Sequence, residues 1–301
     1  MGTTVRLTLK QHRFGVVGFG LVLLAFAVAG AVVAAYFAML GVAACEQDPA
    51  PTCRAVLQQA STINQPANLV RAASLPVAVL AGVFLGAPIV AAEIERGTAV
   101  LPWVLARSRV RWLLGRVLTV GSCVALLATL LGLALDALQQ SITTVPIGAS
   151  LADYEGRGCL VPARALVGFA AGVFAGTVLG RSLSGLLMGL VIAVVLVLGV
   201  VGLGGAWNRA DQTVLTDDRG ALVLDAGLRD RGSGEILTYA AAEAMIPADD
   251  PAFTERFEPV RLGIPGFRSP VVVGREVALH GLEVLVLLGA SAVAVDRRRP
   301  Y

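Results

Sequence analysis

Two groups of residues in this chain have types and spacings that suggest chemistry. Glu93, Glu95, Arg96, Arg107, Arg109, Arg111 and Arg116 crowd into one short stretch between two long uncharged runs. Mixed charge packed beside a membrane span is the chemistry of docking, or of anchoring at the interface. The second group is His280 and Glu283, three apart inside an apolar run and therefore on one face of a helix. A carboxylate at that depth is costly, so it marks a function or pairs with a cation, and here it reads as a polar pair facing an outer vestibule. As a metal site the pair is poor, because the only other histidine is His12 and no Cys/His cluster accompanies it.

Absent motifs narrow the choice further. A phosphate-binding loop needs G-x-x-x-x-G-K-[ST], yet the single lysine, Lys10, follows Leu9, precedes Gln11 and has no glycine loop before it. The chain is therefore expected to carry no cofactor of its own and not to hydrolyse ATP itself. No H-E-x-x-H or G-x-S-x-G motif points to an enzyme. Spans with scarcely any buried charge argue against an ion-coupled carrier. Nothing implies a nucleic-acid partner.

The elements that must position these residues are membrane helices. The chain has 301 residues, 56% hydrophobic and 15% charged, with a mean hydropathy of +0.77. Soluble domains carry about 25% charge, so composition alone indicates an integral membrane protein. Uncharged runs at Phe14–Ala44, Ala72–Ala92 and Val117–Leu135 are each long enough to span. Further spans are expected near Val161–Gly180, Ser182–Asn208 and Val277–Val295, with Arg164 snorkelling to the outer surface from the short fourth span. No cleavable signal is evident. Placing the short basic segments inside gives six helices with both termini cytoplasmic, a multi-pass plasma-membrane topology. The fold class expected is an all-α integral membrane protein in three parts. Residues 1–208 hold helices 1–5, residues 209–276 form a small extracellular subdomain, and residues 277–301 form helix 6 with a basic tail.

Within this frame Glu235–Met245 reads as a short helix, and Pro76 and Pro88 as kinks or ends of the second span. Gly168, Gly172, Gly176 and Gly180 form a ladder at four-residue spacing that continues with Gly185 and Gly189. Such small residues let helix backbones approach closely, here between the fourth and fifth spans or between subunits. Cys45, Cys53 and Cys159 fall in outside loops; Cys45 with Cys53 closes a short loop and is the favoured disulfide, and Cys123 is mid-span.

The charged stretch also resembles a known family. Gly86-Ala-Pro88, Glu93-x-Glu95-x-Gly97-Thr98, Leu101-x-Trp103 and Ser108-Arg109-x-Arg111-Trp112, closed by Arg116, are similar to the loop between the second and third spans of ABC-2 type transporter permeases, especially actinobacterial ones. Val104 and Leu105 depart from that pattern, standing where it has polar residues. The resemblance implies a coupling helix at 93–112 that seats in a groove of an ABC ATPase subunit. Glu93, Glu95, Gly97, Thr98, Trp103, Ser108, Arg109, Arg111 and Trp112 would be its contact residues. Trp112 is either an interface anchor or an interfacial belt residue, and Glu93 either a contact or a helix cap. The resemblance further implies a permease present as two copies, identical or different, that works as an exporter; the compound is not implied by it, and spans lined by uncharged aliphatic, glycine and small polar side chains suit a hydrophobic or amphipathic one such as a drug, peptide or lipid. The competing expectation is a membrane-anchored binding or sensor protein that works through residues 209–276.

Overall fold

The computed structural model of the chain describes residues 2–45, 50–98, 108–217 and 219–298, with side chains of the first helix from Arg13 onward. Residues 99–107 of the expected coupling helix, which include Trp103 and Arg107, lie outside the described residues. The chain divides into two compact units, one of residues 1–144, 153–201 and 275–301, the other of 145–152 and 202–274.

The first unit is built on helices that are long and apolar enough to cross a membrane, six of them among the described residues. In hydrocarbon every backbone N–H and C=O must find a partner inside the protein, and a helix satisfies them all. The first span, Gly2–Leu40, stops at Gly41, whose φ of 70° is the left-handed value that favours glycine. The second is Pro51–Gly86 continued by Pro88–Glu95; Ala87 keeps helical angles, and Pro88, which has no N–H to donate, marks the joint. The third is Arg109–Gln140, the fourth Leu160–Leu179, the fifth Ser182–Ala210 and the sixth Ser269–Arg297.

Two of these boundaries correct the reading from sequence. Residues 45–70 read as an outside loop from their polar composition, but the second helix starts at Pro51, where a proline's missing donor costs nothing, and runs through Pro66 and Pro76 without stopping. Buried Ala60, Ala67 and Val70 seat this polar-looking segment against the other helices, and packing outweighs propensity. A disulfide with an S–S distance of 2.11 Å joins Cys45 to Cys53, tying the end of the first span to the start of the second. The sixth helix begins at Ser269 rather than Val277, with Pro270 in its first turn, so Glu276 lies within the helix.

Glycine decides which helices meet. Gly168, Gly172 and Gly176 lie on the backbone of the second span: a Cβ on Gly172 would sit 2.6 Å from the Val83 carbonyl oxygen, and Cβ atoms on the other two would overlap the Val79 and Ala87 carbonyls. From the opposite side, Gly82 and Gly86 admit Ala165 and Phe169 of the fourth span. The ladder therefore packs first against the second span, not only the fifth. The fifth does approach, since a Cβ on Gly185 or Gly189 would come within 2.8 or 2.9 Å of the Cα of Gly176 or Gly172. Gly180 does something else: with φ 66° it ends the fourth helix. Apolar side chains fill the rest, with Leu23, Ala78, Leu85, Val120, Val124 and Phe169 in one cluster and Val83, Ala171, Ala193 and Val197 in another.

The second unit contains a four-stranded antiparallel sheet in the order β1-β4-β2-β3, where β1 is Thr213–Val214, β2 Leu222–Asp230, β3 Ile236–Leu237 and β4 Phe257–Ile264. The all-α expectation thus describes the membrane unit and not this one. Ile236 and Leu237 pair with Arg229 and Leu228, which leaves only Tyr239–Glu243 of the expected Glu235–Met245 helix, capped by the Thr238 hydroxyl accepting from the Ala241 N–H. Leu228, Ala242, Phe253 and Phe257 form its core. Buried Asp230 closes the β2 end: it accepts from Arg256 Nη2 at 2.9 Å and from the Gly232 N–H at 2.8 Å.

Two outcomes follow from these contacts. Gly168→Ala should lower the stability of the detergent-solubilised protein by about 1–3 kcal/mol through overpacking, whereas Gly199→Ala, with open space around it, should be neutral or slightly stabilising; thermal unfolding of both variants checks this. The hydrogen bonds from Arg256 and then Gly232 hold the Asp230 carboxyl below the usual carboxylate range. A depressed folded-state pKa stabilises above the unfolded value and loses that contribution as pH falls through the folded one. Melting temperatures taken below about pH 4 should therefore drop more steeply in the wild type than in Asp230→Asn.

Candidate functional site

The charged stretch is built on a helix end, a sharp stop and a new helix start. The helix ending at Glu95 closes with the Gly97 N–H bonded to Ile94 O at 3.0 Å and the Thr98 N–H to Glu93 O at 3.0 Å, with Gly97 at φ 69°. This paired arrangement is a Schellman stop, and it needs a glycine at that position. Thr98 adds a hydroxyl bond back to Glu93 O at 3.4 Å, so it finishes this helix. The cap of the next helix is Ser108, whose hydroxyl accepts from the Arg111 N–H at 3.1 Å.

Several of the expected contact residues turn out to be engaged within the chain. Glu93 Oε1 lies 2.6 Å from Arg116 Nη2, and both side chains are largely buried. Arg116 also stacks over the Trp112 ring at 4.5 Å, which places Trp112 against a charged neighbour in its own helix. Glu95 reaches across to the fifth span, where its Oε2 accepts from the Ser182 N–H at 3.1 Å and the Ser182 hydroxyl at 2.7 Å. A carboxylate at a helix N-terminus meets unsatisfied N–H groups and the positive end of the helix dipole. Arg109 donates to the carbonyls of Asp296 and Arg298 at the end of the sixth span, and Arg298 donates to Thr177 O of the fourth at 2.7 Å. The hairpin is thus fastened to the fourth, fifth and sixth spans. Gly97, Thr98, Ser108 and Arg111 remain exposed.

A second polar cluster crosses the membrane unit. Arg164 of the fourth span is 0% exposed, so it does not snorkel. Its Nη2 is 3.2 Å from Glu276 Oε2, its Nη1 donates to Glu155 O, and its Nε donates to His280 Nε2 at 3.4 Å. The Tyr154 hydroxyl donates to the other Glu276 oxygen at 2.8 Å, and His280 Nδ1 pairs with Glu283 Oε2 at 2.8 Å. A guanidinium only donates, so Nε2 must be the acceptor and Nδ1 carries the hydrogen that goes to Glu283. The expected vestibule pair is therefore one arm of a buried network, and His280 is 0% exposed. The premise that the spans hold scarcely any buried charge fails here.

Sequence reasoning missed Tyr154, Arg164 and Glu276. A signal was present: Glu276, His280 and Glu283 fall at i, i+4 and i+7 on one helix face, opposite an arginine inside a short span. The assignment of Glu276 to a loop concealed it. Among the described residues, no three His, Cys, Asp or Glu side chains gather to hold a metal.

Compared with known proteins, the chain is matched over residues 16–203 by a family model described as ABC-2 membrane transporter related. No curated protein and no solved structure matches it.

The buried network sets a clear expectation. Glu276→Gln leaves the Arg164 guanidinium without its counter-charge and should cost about 3–5 kcal/mol, measured as a fall in thermal stability of the purified protein. The double change Arg164→Leu with Glu276→Leu should recover much of that loss, because no buried charge is then left unpaired.

Proposed function

The chain belongs to the ABC-2 membrane transporter related family, and from that premise we propose that it is the permease of an ATP-driven exporter. It is a multi-pass protein of the plasma membrane, and its family points to a transport subunit. In this proposal a separate ABC ATPase binds ATP and Mg on the cytoplasmic side and docks on the hairpin at 93–112. Two permease chains would line the pathway, both termini would be cytoplasmic, and the sheet-bearing unit would lie outside. Uncharged aliphatic and small side chains along the spans suit a hydrophobic or amphipathic cargo.

One observation carries the mechanism: Glu95 on the hairpin accepts both hydrogens of Ser182 at the head of the fifth span. A push on the hairpin is passed to the fifth span through these bonds, and to the sixth through Arg109. Docking and transmission then fall to different residues. Exposed Arg111 is free to meet the partner, while Glu95 and Arg109 relay the movement.

The two roles separate by mutation. In membranes containing chain and ATPase, Arg111→Gln should weaken co-purification of the ATPase. Glu95→Gln should leave co-purification intact and reduce substrate-stimulated ATP hydrolysis by roughly tenfold, the scale of one charge-assisted hydrogen bond. Wild-type chain that isolates with no ATPase would defeat the proposal, as would normal stimulation in both variants.

A further inference from the structure

A cavity of about 340 Å³ opens beside the hairpin, between the ends of the first, second and third spans. One wall is apolar, formed by Phe14, Phe84 and Pro88; Phe14 is 78% and Phe84 38% exposed. The other wall is charged, with Glu93, Arg96 and Arg116. Such a division fits a molecule with a polar head and hydrocarbon tails.

The charged wall defines the head more closely. Glu93 spends Oε1 on Arg116, and its Oε2 is buried with no hydrogen-bond partner among the described residues. A buried acceptor left open costs free energy that an entering N–H or O–H donor recovers. Glu93 is one of the residues that line the cavity. Arg96 at the rim is exposed, and no hydrogen bond or ion pair of its guanidinium is formed with the described residues. It is therefore available to an anionic oxygen, and a guanidinium matches phosphate geometry better than an ammonium would.

We propose that this cavity holds the headgroup of an aminophospholipid from the bilayer, with the primary ammonium toward Glu93, the phosphodiester toward Arg96 and an acyl chain along Phe14 and Phe84. The bound lipid is a resident of the hairpin end and not the exported cargo. The site does not depend on an ATPase partner, so it is testable on the purified chain alone.

The chemistry separates three lipids. Phosphatidylethanolamine offers both N–H donors and phosphate; phosphatidylcholine keeps the phosphate and the positive charge but has no N–H; phosphatidylglycerol keeps the phosphate and offers neutral O–H donors, which bond to a carboxylate without the charge pairing that an ammonium adds. Native mass spectrometry of the full chain, delipidated in detergent and titrated with each lipid, reads the affinities. Phosphatidylethanolamine should bind roughly tenfold more tightly than either of the others, the scale of one charge-assisted hydrogen bond. Glu93→Gln should erase that preference. Because Glu93 also pairs with Arg116, so that its loss removes a structural ion pair as well, Arg96→Gln supplies an independent arm on an exposed side chain. It should weaken phosphatidylethanolamine and phosphatidylcholine alike by about three- to tenfold, with the melting temperature of the lipid-free protein unchanged. Equal binding of all three lipids by the wild type would overturn the proposal, as would wild-type affinity in Arg96→Gln. Phosphatidylglycerol binding as tightly as phosphatidylethanolamine would also overturn it, because simple attraction of anions to arginine would then suffice.

Discussion

The membrane unit depends on the contact between the second and fourth spans. Lipid tails are as apolar as leucine, so helices in a bilayer gain little from burying hydrocarbon against each other and associate by close packing instead. Gly82 and Gly86 on one helix and Gly168, Gly172 and Gly176 on the other remove the side chains that would hold the two backbones apart. Gly185 and Gly189 then bring the fifth span onto two of the same glycines. The fourth helix is in this way gripped from two sides by backbone, and its buried positions include nearly every residue from Leu160 to Thr177. A helix held so closely has little freedom to tilt on its own, so movement at one of its ends is carried to the other.

Each end of that helix has its own polar fastening. Arg164 lies near one end and Gly180 at the other, about 24 Å apart at 1.5 Å per residue. At the Arg164 end the bonds are buried: Arg164, Glu276, Tyr154, His280 and Glu283 satisfy one another away from water. Desolvating an arginine and a carboxylate costs several kcal/mol per ion, so such a network adds little net stability, and its effect is to make one arrangement of the fourth and sixth spans much better than its neighbours. At the Gly180 end the bonds are more exposed. Glu95 with Ser182, and Arg109 and Arg298 with helix-end carbonyls, are individually modest and compete with water. The membrane unit thus has one firm layer and one layer that yields.

The second unit obeys different rules. Its long strands β2 and β4 pair along most of their length with one irregularity at Val223–Asp225, and short β1 and β3 close the edges. Edge strands of two residues offer little to a stray strand from another molecule, a common protection against aggregation. Its small core of Leu228, Ala242, Phe253 and Phe257 is of the soluble kind, with aromatic rings in contact at 5.1 Å.

The sequence by itself determined the membrane class, the six spans, the hairpin and the family, because each is written in local composition and spacing. An uncharged run has to span whatever its neighbours do, and Gly97 announces a helix stop without reference to the rest of the chain. Tertiary structure alone decided the partners. Glycine spacing shows that a helix face allows close approach and says nothing of which backbone comes, so the ladder met the second span as well as the fifth. Likewise Glu93, Glu95 and Arg109 read as partner contacts in the sequence, and only the fold brings Arg116, Ser182 and the end of the sixth helix within their reach, at separations in sequence of up to 189 residues. Arg164 was legible as a charge in a short span, but whether it reaches water or a counter-ion depends on Glu276, more than a hundred residues away, and on two helices packing closely enough to exclude solvent.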